Sequence, residues 1–386
     1  LVVGISEDDL VEYVGQYVGL RVADEFRIGG QPAPGRQVID GISGATITAM
    51  VLNRSISESL RKVALARGLL VHDGKSRRFE PPEPLWLMLW AERQWQIAIL
   101  GVGLLALLLI LLFQDWLARH PTFLVRVRTA YLLFTLLFIG VYGHAQLSVV
   151  NVLTFVGSLL GGFQWESFLI DPMMFLLWCF VAVTMLLWGR GVYCGWLCPF
   201  GALQELLVRI GQHLGIKAWE LPTVVHERLL ALKYVLLIGL FGLSLQSLAT
   251  AELFAEVEPF KTVFSLRLIR NWPFIAYAAA LLLTGLFIRK AFCRYLCPLG
   301  AALTFPSRFR IFDWLRRRKE CGRPCQACAR ECEVQAIRPT GEIVETECHY
   351  CLDCQVTYWN DRRCPPLVER RKKAEVKARL ARRKPH

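Results

Sequence analysis

The chain has 386 residues, of which 54% are hydrophobic, and a mean hydropathy of +0.38. This composition argues against a wholly soluble protein, and the length allows two or three domains. The formal net charge is +13, but the positive residues are unevenly placed along the chain. Because the sequence opens with Leu-Val-Val-Gly-Ile and has no signal peptide, we expect a fragment or processed product without its N-terminal start.

Residues 1–75 read as a soluble domain with a short capped helix after Ser6 and a long helix from Thr46 to about Arg67. The stretch Asp-Gly-Ile-Ser-Gly-Ala-Thr, from Asp40 to Thr46, opens the long helix. A glycine-bearing turn at a helix start can bind a phosphate, because backbone N–H groups and the helix dipole point at the anion. The alternative is an ordinary helix cap.

Residues 76–96 form a proline-bearing linker with tryptophans at its end, and residues 97–290 form the membrane region. We predict a transmembrane bundle of five helices rather than a buried soluble bundle. The predicted spans are 97–113, 127–143, 172–188, 230–247 and 273–288.

Charge placement predicts the orientation of these spans. The segment from Gly143 to Asp171 contains no Lys or Arg, whereas Arg289 and Lys290 open a strongly basic C-terminal part. The positive-inside pattern therefore predicts a bacterial cytoplasmic (inner) membrane protein, multi-pass, with residues 1–75 in the periplasm and the C-terminal domain in the cytoplasm.

A short repeat, Cys-x3-Cys-Pro, follows the third and fifth predicted spans, with Cys194 and Cys198 in one copy and Cys293 and Cys297 in the other. If each pair lies on a helix, its two sulfurs face nearly the same way. Four thiols at the cytoplasmic edge can bind an additional metal or cluster, or act as redox dithiols. The alternative is that they are small buried residues, and the sequence does not choose among these.

Eight further cysteines lie between Cys321 and Cys364, with spacings typical of a ferredoxin-like domain that carries two [4Fe-4S] clusters. In such domains the fourth cysteine of each run serves the other cluster. This rule predicts two ligand sets: Cys321, Cys325, Cys328 and Cys364; and Cys348, Cys351, Cys354 and Cys332. Structural zinc and disulfides are the alternatives.

Residues 291–368 form this predicted cytoplasmic domain, and residues 369–386 form a basic tail suited to an anionic membrane surface. No base-reading module accompanies the tail, so we expect no direct nucleic-acid partner.

The stretch from Asp40 to Thr46 resembles the flavinylation motif of FMN-binding domains. The resemblance implies that a flavin transferase attaches FMN covalently to Thr46, with Asp40, Ser43, Gly44 and Ala45 completing the site. The order of this motif, the spans, the Cys-x3-Cys-Pro pairs and the C-terminal cysteines is similar to that of NosR/NirI-type membrane flavoproteins. The predicted fold is therefore a multi-domain membrane protein: an N-terminally truncated α+β FMN-binding domain, a five-helix transmembrane bundle and a ferredoxin-like 2[4Fe-4S] domain.

The resemblance implies a role in nitrous-oxide respiration during denitrification, with periplasmic nitrous-oxide reductase as partner. The main hypothesis is a membrane electron-transfer protein that supplies or maintains that reductase and draws on the quinol pool. The alternatives are a redox sensor that regulates expression of the reductase genes and an assembly factor for its copper centres. We identify no substrate-transforming site, so enzymatic activity beyond quinol oxidation is not predicted.

Overall fold

The computed structural model describes residues 7–21, 24–28, 36–40, 46–68, 85–161, 163, 165–216, 218–322 and 325–382. The chain divides into two compact units. The first consists of Leu1–Gln94 with Glu166–Pro172, and the second of Trp95–Trp165 with Met173–His386. Most of the predicted membrane region, residues 97–165 and 173–290, thus belongs to one unit with the predicted cytoplasmic domain.

The first unit has α and β elements. Strands Glu25–Ile28 and Arg36–Ile39 pair in parallel, with Glu25 opposite Arg36 and Ile28 opposite Ile39. Helices Glu7–Gly15 and Thr46–Ala66 confirm the two helices predicted from the sequence.

Tyrosines hold these two helices together. The Tyr13 hydroxyl donates to the Ala49 carbonyl at 2.8 Å, and the Tyr17 hydroxyl donates to Asn53 Oδ1 at 2.8 Å. Tyr13 is almost fully buried together with Ile39 and Ala49. The helix that begins at Thr46 is therefore fixed by polar contacts as well as by apolar burial.

Within the described part of the chain, three helices are long and apolar enough to cross a membrane: Gln94–Leu112, Pro121–Tyr142 and Thr223–Gln246. Only 22%, 39% and 17% of their apolar windows are buried in the protein, which leaves apolar side chains to face lipid. The second of them is α-helical to Phe134 and π-helical from Thr135 onward. The chain is a membrane protein.

The other two predicted spans coincide with shorter apolar helices, Pro172–Leu187 and Trp272–Phe287. Each has 16 residues, below the about 20 residues that a membrane-crossing helix needs. A further apolar helix, Val149–Leu159, lies in the segment predicted to connect the second and third spans. The count of five spans therefore stays a prediction.

Among the described residues, the remaining helices are short, except for two. Pro199–His213 follows the first Cys-x3-Cys-Pro pair, and Pro365–Arg382 covers most of the basic tail. The short elements are Leu85–Glu92, Gln114–Arg119, Trp165–Leu169, Tyr193–Leu197 (π), Leu248–Phe254, Ala255–Val257 (3-10), Lys261–Ser265 (π), Ala291–Tyr295, Pro298–Ala302, Thr304–Ser307, Ala327–Glu331 and Asp353–Trp359. One apolar core joins the membrane helices to residues of the C-terminal segment, including Tyr350 and Leu352.

Candidate metal centres

The structure brings the two Cys-x3-Cys-Pro pairs together. We call Cys194, Cys198, Cys293 and Cys297 the CP quartet. Burial raises the pKa of the Cys198 thiol well above its usual value, and the neighbouring Cys293 and Cys194 raise it further. The pKa of Cys297 is raised in the same way, first by burial and then by nearby groups that include the other three thiols. The two thiol pairs, which lie almost 100 residues apart in the sequence, therefore share one buried region.

The second cysteine of each pair caps a helix. Cys198 Sγ accepts from the Gly201 N–H at 3.4 Å, and Cys297 Sγ accepts from the Gly300 N–H at 3.2 Å. Both cysteines have extended backbone angles, and the proline after each begins the next helix. The condition that each pair lies on one helix is therefore not met, because the proline begins a new helix and leaves the second cysteine as its N-cap.

Positive side chains surround the quartet. Burial raises the pKa of Cys194, and Arg190, Lys233 and Lys290 oppose this rise. Arg190 also donates to the Gly300 carbonyl at 2.6 Å, in the helix after the other pair. These cations favour the thiolate form that metal ligation requires.

The four cysteines of the first predicted set, which we call the first group, are Cys321, Cys325, Cys328 and Cys364. Three of them, with Arg317 and Gly341, line a cavity of about 220 Å³, open solvent included. The fourth, Cys364, lies near Cys328, whose pKa is raised by burial and also by this neighbour. Arg318 connects the set, because its N–H donates to Cys321 Sγ at 3.3 Å and its guanidinium to Cys364 Sγ at 2.7 Å.

The other set, which we call the second group, contains Cys332, Cys348, Cys351 and Cys354. Burial raises the pKa of Cys348 to about 11, and Cys332 contributes to the rise. Burial, together with Cys348 and Cys332, also raises the pKa of Cys354. Cys332, Cys348 and Cys354 thus lie near one another, and the division of the eight cysteines into two ligand sets stays a prediction.

The loop of the second group, which contains Cys348, Tyr350 and Leu352, has an unusual backbone. Tyr350 and Leu352 have φ values of 54° and 70°, in the left-handed region that non-glycine residues seldom occupy. Such a conformation costs on the order of 1–3 kcal/mol per residue and occurs mostly at functional sites. Both side chains are buried in the main core, which holds the loop in this form.

The first and second groups touch each other. The Cys328 thiol donates to the Cys354 carbonyl at 3.6 Å, so a residue of one group contacts the backbone of the other. None of the 13 cysteines, all within the described residues, forms a disulfide, and the disulfide alternative has no support.

Each group offers four thiols, which is the donor set that a [4Fe-4S] cluster takes, and a bound cluster carries single electrons. Among the described residues, no group of three or more His, Cys, Asp or Glu side chains is arranged to hold a single metal ion.

Residues 319–375 match the NosR family, and residues 170–217 and 271–320 match a family described as 4Fe-4S binding domain. Regulatory protein NosR of Pseudomonas aeruginosa is 60% identical over 294 residues, which cover 76% of this chain and 41% of that protein. Another Regulatory protein NosR sequence of Pseudomonas aeruginosa is 70% identical over 86 residues, which cover 22% of this chain and 86% of that sequence. Protein NirI of Paracoccus denitrificans is 49% identical over 294 residues, which cover 76% of this chain and 43% of that protein.

The chain belongs to the NosR/NirI family. It spans about two fifths of the length of the longer curated relatives, 41% for NosR of Pseudomonas aeruginosa. The segments that match the 4Fe-4S binding domain contain the whole CP quartet, so the chain is an iron–sulfur protein, as predicted. No solved structure matches the chain.

The predicted flavin site of this NosR/NirI family member is described only in part. The helix begins at Thr46, and the backbone of Asp40 exchanges hydrogen bonds with the Gln16 side chain at 2.8 and 3.4 Å. Ser43, Gly44 and Ala45 lie outside the described residues. The flavin attachment therefore stays a prediction.

Sequence reasoning missed a buried charge network beside the quartet. Glu205, on helix Pro199–His213, accepts from Arg128 at 2.7 Å and pairs with Lys290 at 2.8 Å, and all three side chains are at most 3% exposed. Burial alone would raise the pKa of Glu205, but the two cations lower it well below its usual value. The signal in the sequence was Arg128 inside an apolar span, because such charges are rare and paired.

Glu205→Gln should destabilise the protein strongly, because it leaves Arg128 and Lys290 buried beside a neutral group. Breaking a buried ion pair from one side costs about 3–5 kcal/mol. Glu342→Gln is the matched control, since the Arg338–Glu342 pair is 61% and 68% exposed and should contribute about 0–1 kcal/mol. Thermal unfolding of the detergent-solubilised protein measures both, and equal melting temperatures for the two variants would contradict the prediction.

Glu258 was also missed as a buried group. Glu258 is 3% exposed. It accepts hydrogen bonds from Ser148 Oγ at 2.7 Å, the Val149 N–H at 3.0 Å and the Leu299 N–H at 3.3 Å. Burial raises its pKa to about 7, and these hydrogen bonds oppose the rise. The carboxyl thus joins the starts of two helices.

Proposed function

We propose that this chain is an electron-transfer flavo-iron–sulfur protein of the cytoplasmic membrane. It supplies electrons to periplasmic nitrous-oxide reductase, or maintains that enzyme, in nitrous-oxide respiration. The observation that carries the proposal is a series of contacts between the segments that hold the first group, the second group and the CP quartet. The first group touches the second through Cys328 and Cys354, and the loop of the second group touches the segment that holds Cys194. A carrier of single electrons needs redox groups in such a series.

In this proposal the first and second groups each hold a [4Fe-4S] cluster, and the CP quartet holds a further cluster. Thr46 carries covalent FMN, attached by a flavin transferase. The flavin exchanges single electrons with clusters and pairs of electrons with organic donors such as quinols. The membership of the chain in the NosR/NirI family supports nitrous-oxide reductase as the partner.

A redox titration of anaerobically purified protein, with iron and flavin counted, tests the proposal. We expect about four iron atoms for each cluster that is present and reversible one-electron transitions. If iron is near zero and zinc takes its place, electron transfer through the cysteine groups fails as an explanation.

The name of the Pseudomonas aeruginosa relative, Regulatory protein NosR, favours a second candidate function, a membrane sensor whose redox state controls expression of the reductase genes. The iron–sulfur sites would then report the redox state rather than pass electrons onward. The two candidates differ in whether the reductase is still made when one cluster is lost.

The proposed sidedness has its own test. Residues 143–171 carry no Lys or Arg, and the helix Pro365–Arg382 is dense in both, so the positive-inside pattern puts the C-terminus in the cytoplasm and residue 46 in the periplasm. A reporter that is active only in the cytoplasm should be active when it is fused after residue 386. A reporter that is active only in the periplasm should be inactive at the same position. Activity of a periplasmic reporter at that position would contradict this orientation.

A further inference from the structure

The first Cys-x3-Cys-Pro segment lies directly against the loop of the second group. A side-chain carbon at Gly191 would stand 2.7 Å from the Cys348 carbonyl oxygen and 3.0 Å from the Tyr350 nitrogen. At Gly195, the residue after Cys194, it would overlap the His349 carbonyl group. Since only glycine permits so close an approach, the backbones meet without an intervening side chain.

Three polar contacts hold this approach in place. Trp196, next to Gly195, donates from its indole Nε1 to the Tyr350 carbonyl at 3.0 Å. Arg128 donates to the Cys351 carbonyl at 3.2 Å and, from its other terminal nitrogen, to the Gly195 carbonyl at 3.5 Å. The same guanidinium thus contacts both segments.

Ion pairs also connect the two segments. Glu347, which precedes Cys348, pairs with Lys233 at 2.5 Å and with Arg190 at 3.3 Å. Both cations have fully buried side chains, so their charges are held at fixed positions. Arg190 lies four residues before Cys194, and Glu347 lies one residue before Cys348. The ion pair between Arg190 and Glu347 therefore connects the segment that holds Cys194 to the loop of the second group.

From these contacts we infer that the Gly195–His349 backbone contact is the electron-transfer junction between the CP quartet and the second group. The inference rests on the proposed function and adds the order of the redox groups: first group, second group, CP quartet. One electron crosses the junction, so that a cluster on one side is oxidised by one electron as the cluster on the other side is reduced by one. No proton is transferred and no bond forms or breaks.

Gly195→Ala tests the junction. The added methyl group must push the two segments apart, because it would overlap a backbone carbonyl that cannot rotate away. Because the rate of electron transfer falls steeply as the distance between two redox groups increases, this displacement should slow the transfer. Gly239→Ala is the matched control, because a side-chain carbon there meets nothing within 4 Å.

The measurements are iron per chain, the electron paramagnetic resonance spectrum of the fully reduced protein and the rate at which an electron equilibrates between the clusters. In the parent we expect a magnetic interaction between the two clusters that is lost in Cys297→Ser, which removes a quartet thiol. Gly195→Ala should keep its iron, weaken this interaction and slow the equilibration severalfold. Gly239→Ala should match the parent.

Trp196→Phe keeps the inference testable if Gly195→Ala loses iron. The change keeps a buried aromatic ring but removes the hydrogen bond to Tyr350, and the interaction should weaken with iron unchanged. A parent-like spectrum and rate in Trp196→Phe, or in an iron-replete Gly195→Ala, would overturn the inference. A parent that contains iron but lacks the interaction would overturn it while leaving the proposed function intact, and a parent without iron would overturn both.

Discussion

Cys351→Ser should lower iron by about four atoms per chain and stop nitrous-oxide reduction in cells while nitrous-oxide reductase is still made. A serine oxygen is a hard ligand that replaces thiolate poorly at iron–sulfur iron. Cys351 belongs to the second group, which lies between the first group and the CP quartet in the proposed series. Its carbonyl also accepts from Arg128, so the substitution changes the sulfur while leaving the backbone contact available.

Cys179→Ser is the control for this experiment. Cys179 is exposed on helix Pro172–Leu187 and is the one cysteine outside the three groups. It should keep parent levels of iron and of nitrous-oxide reduction. Iron content, whole-cell reduction and immunodetection of the reductase are measured together. If the reductase itself disappears in Cys351→Ser, the regulatory function explains the protein better than electron transfer does.

Thr46→Val should abolish covalent flavin while the protein remains in the membrane. Valine has nearly the shape of threonine but lacks the hydroxyl that a phosphoester bond requires. Since the helix Thr46–Ala66 is fixed by Tyr13 and Tyr17 through Ala49 and Asn53, the substitution should not disturb its position. The measurement is flavin fluorescence of the denatured protein in a gel.

This test uses protein with the complete flavin domain, expressed together with the flavin transferase. Ser57→Ala is the matched control, because it removes a hydroxyl of the same helix that donates to the Asn53 carbonyl at 2.6 Å. The control should fluoresce as the parent does. Fluorescence that survives denaturation in Thr46→Val would show that flavin is attached elsewhere.

Local sequence patterns were sufficient for several features of the protein. The long helix that begins at Thr46 and the apolar helices follow from periodicity and hydropathy, which act over a few neighbouring residues. The spacing rule that divides the eight C-terminal cysteines into two sets is equally local, and that division stays a prediction. In each case the information lies within a short stretch of chain.

Only the tertiary structure decided how the separate motifs meet. The sequence did not show that Cys194 and Cys198 join Cys293 and Cys297, because packing of distant helices sets that contact. Nor did it show that Gly195 lies against His349, a contact between residues more than 150 positions apart.

The break of the helix at Cys198 and the pairing of Glu205 with Arg128 and Lys290 were likewise absent from local patterns. Buried charges must find partners wherever the fold brings oppositely charged groups together, and sequence spacing does not record those places. The sequence by itself therefore determined the long helix from Thr46 and the apolar helices, and the packing of distant segments decided which motifs meet, because no local pattern records contacts between residues far apart in the chain.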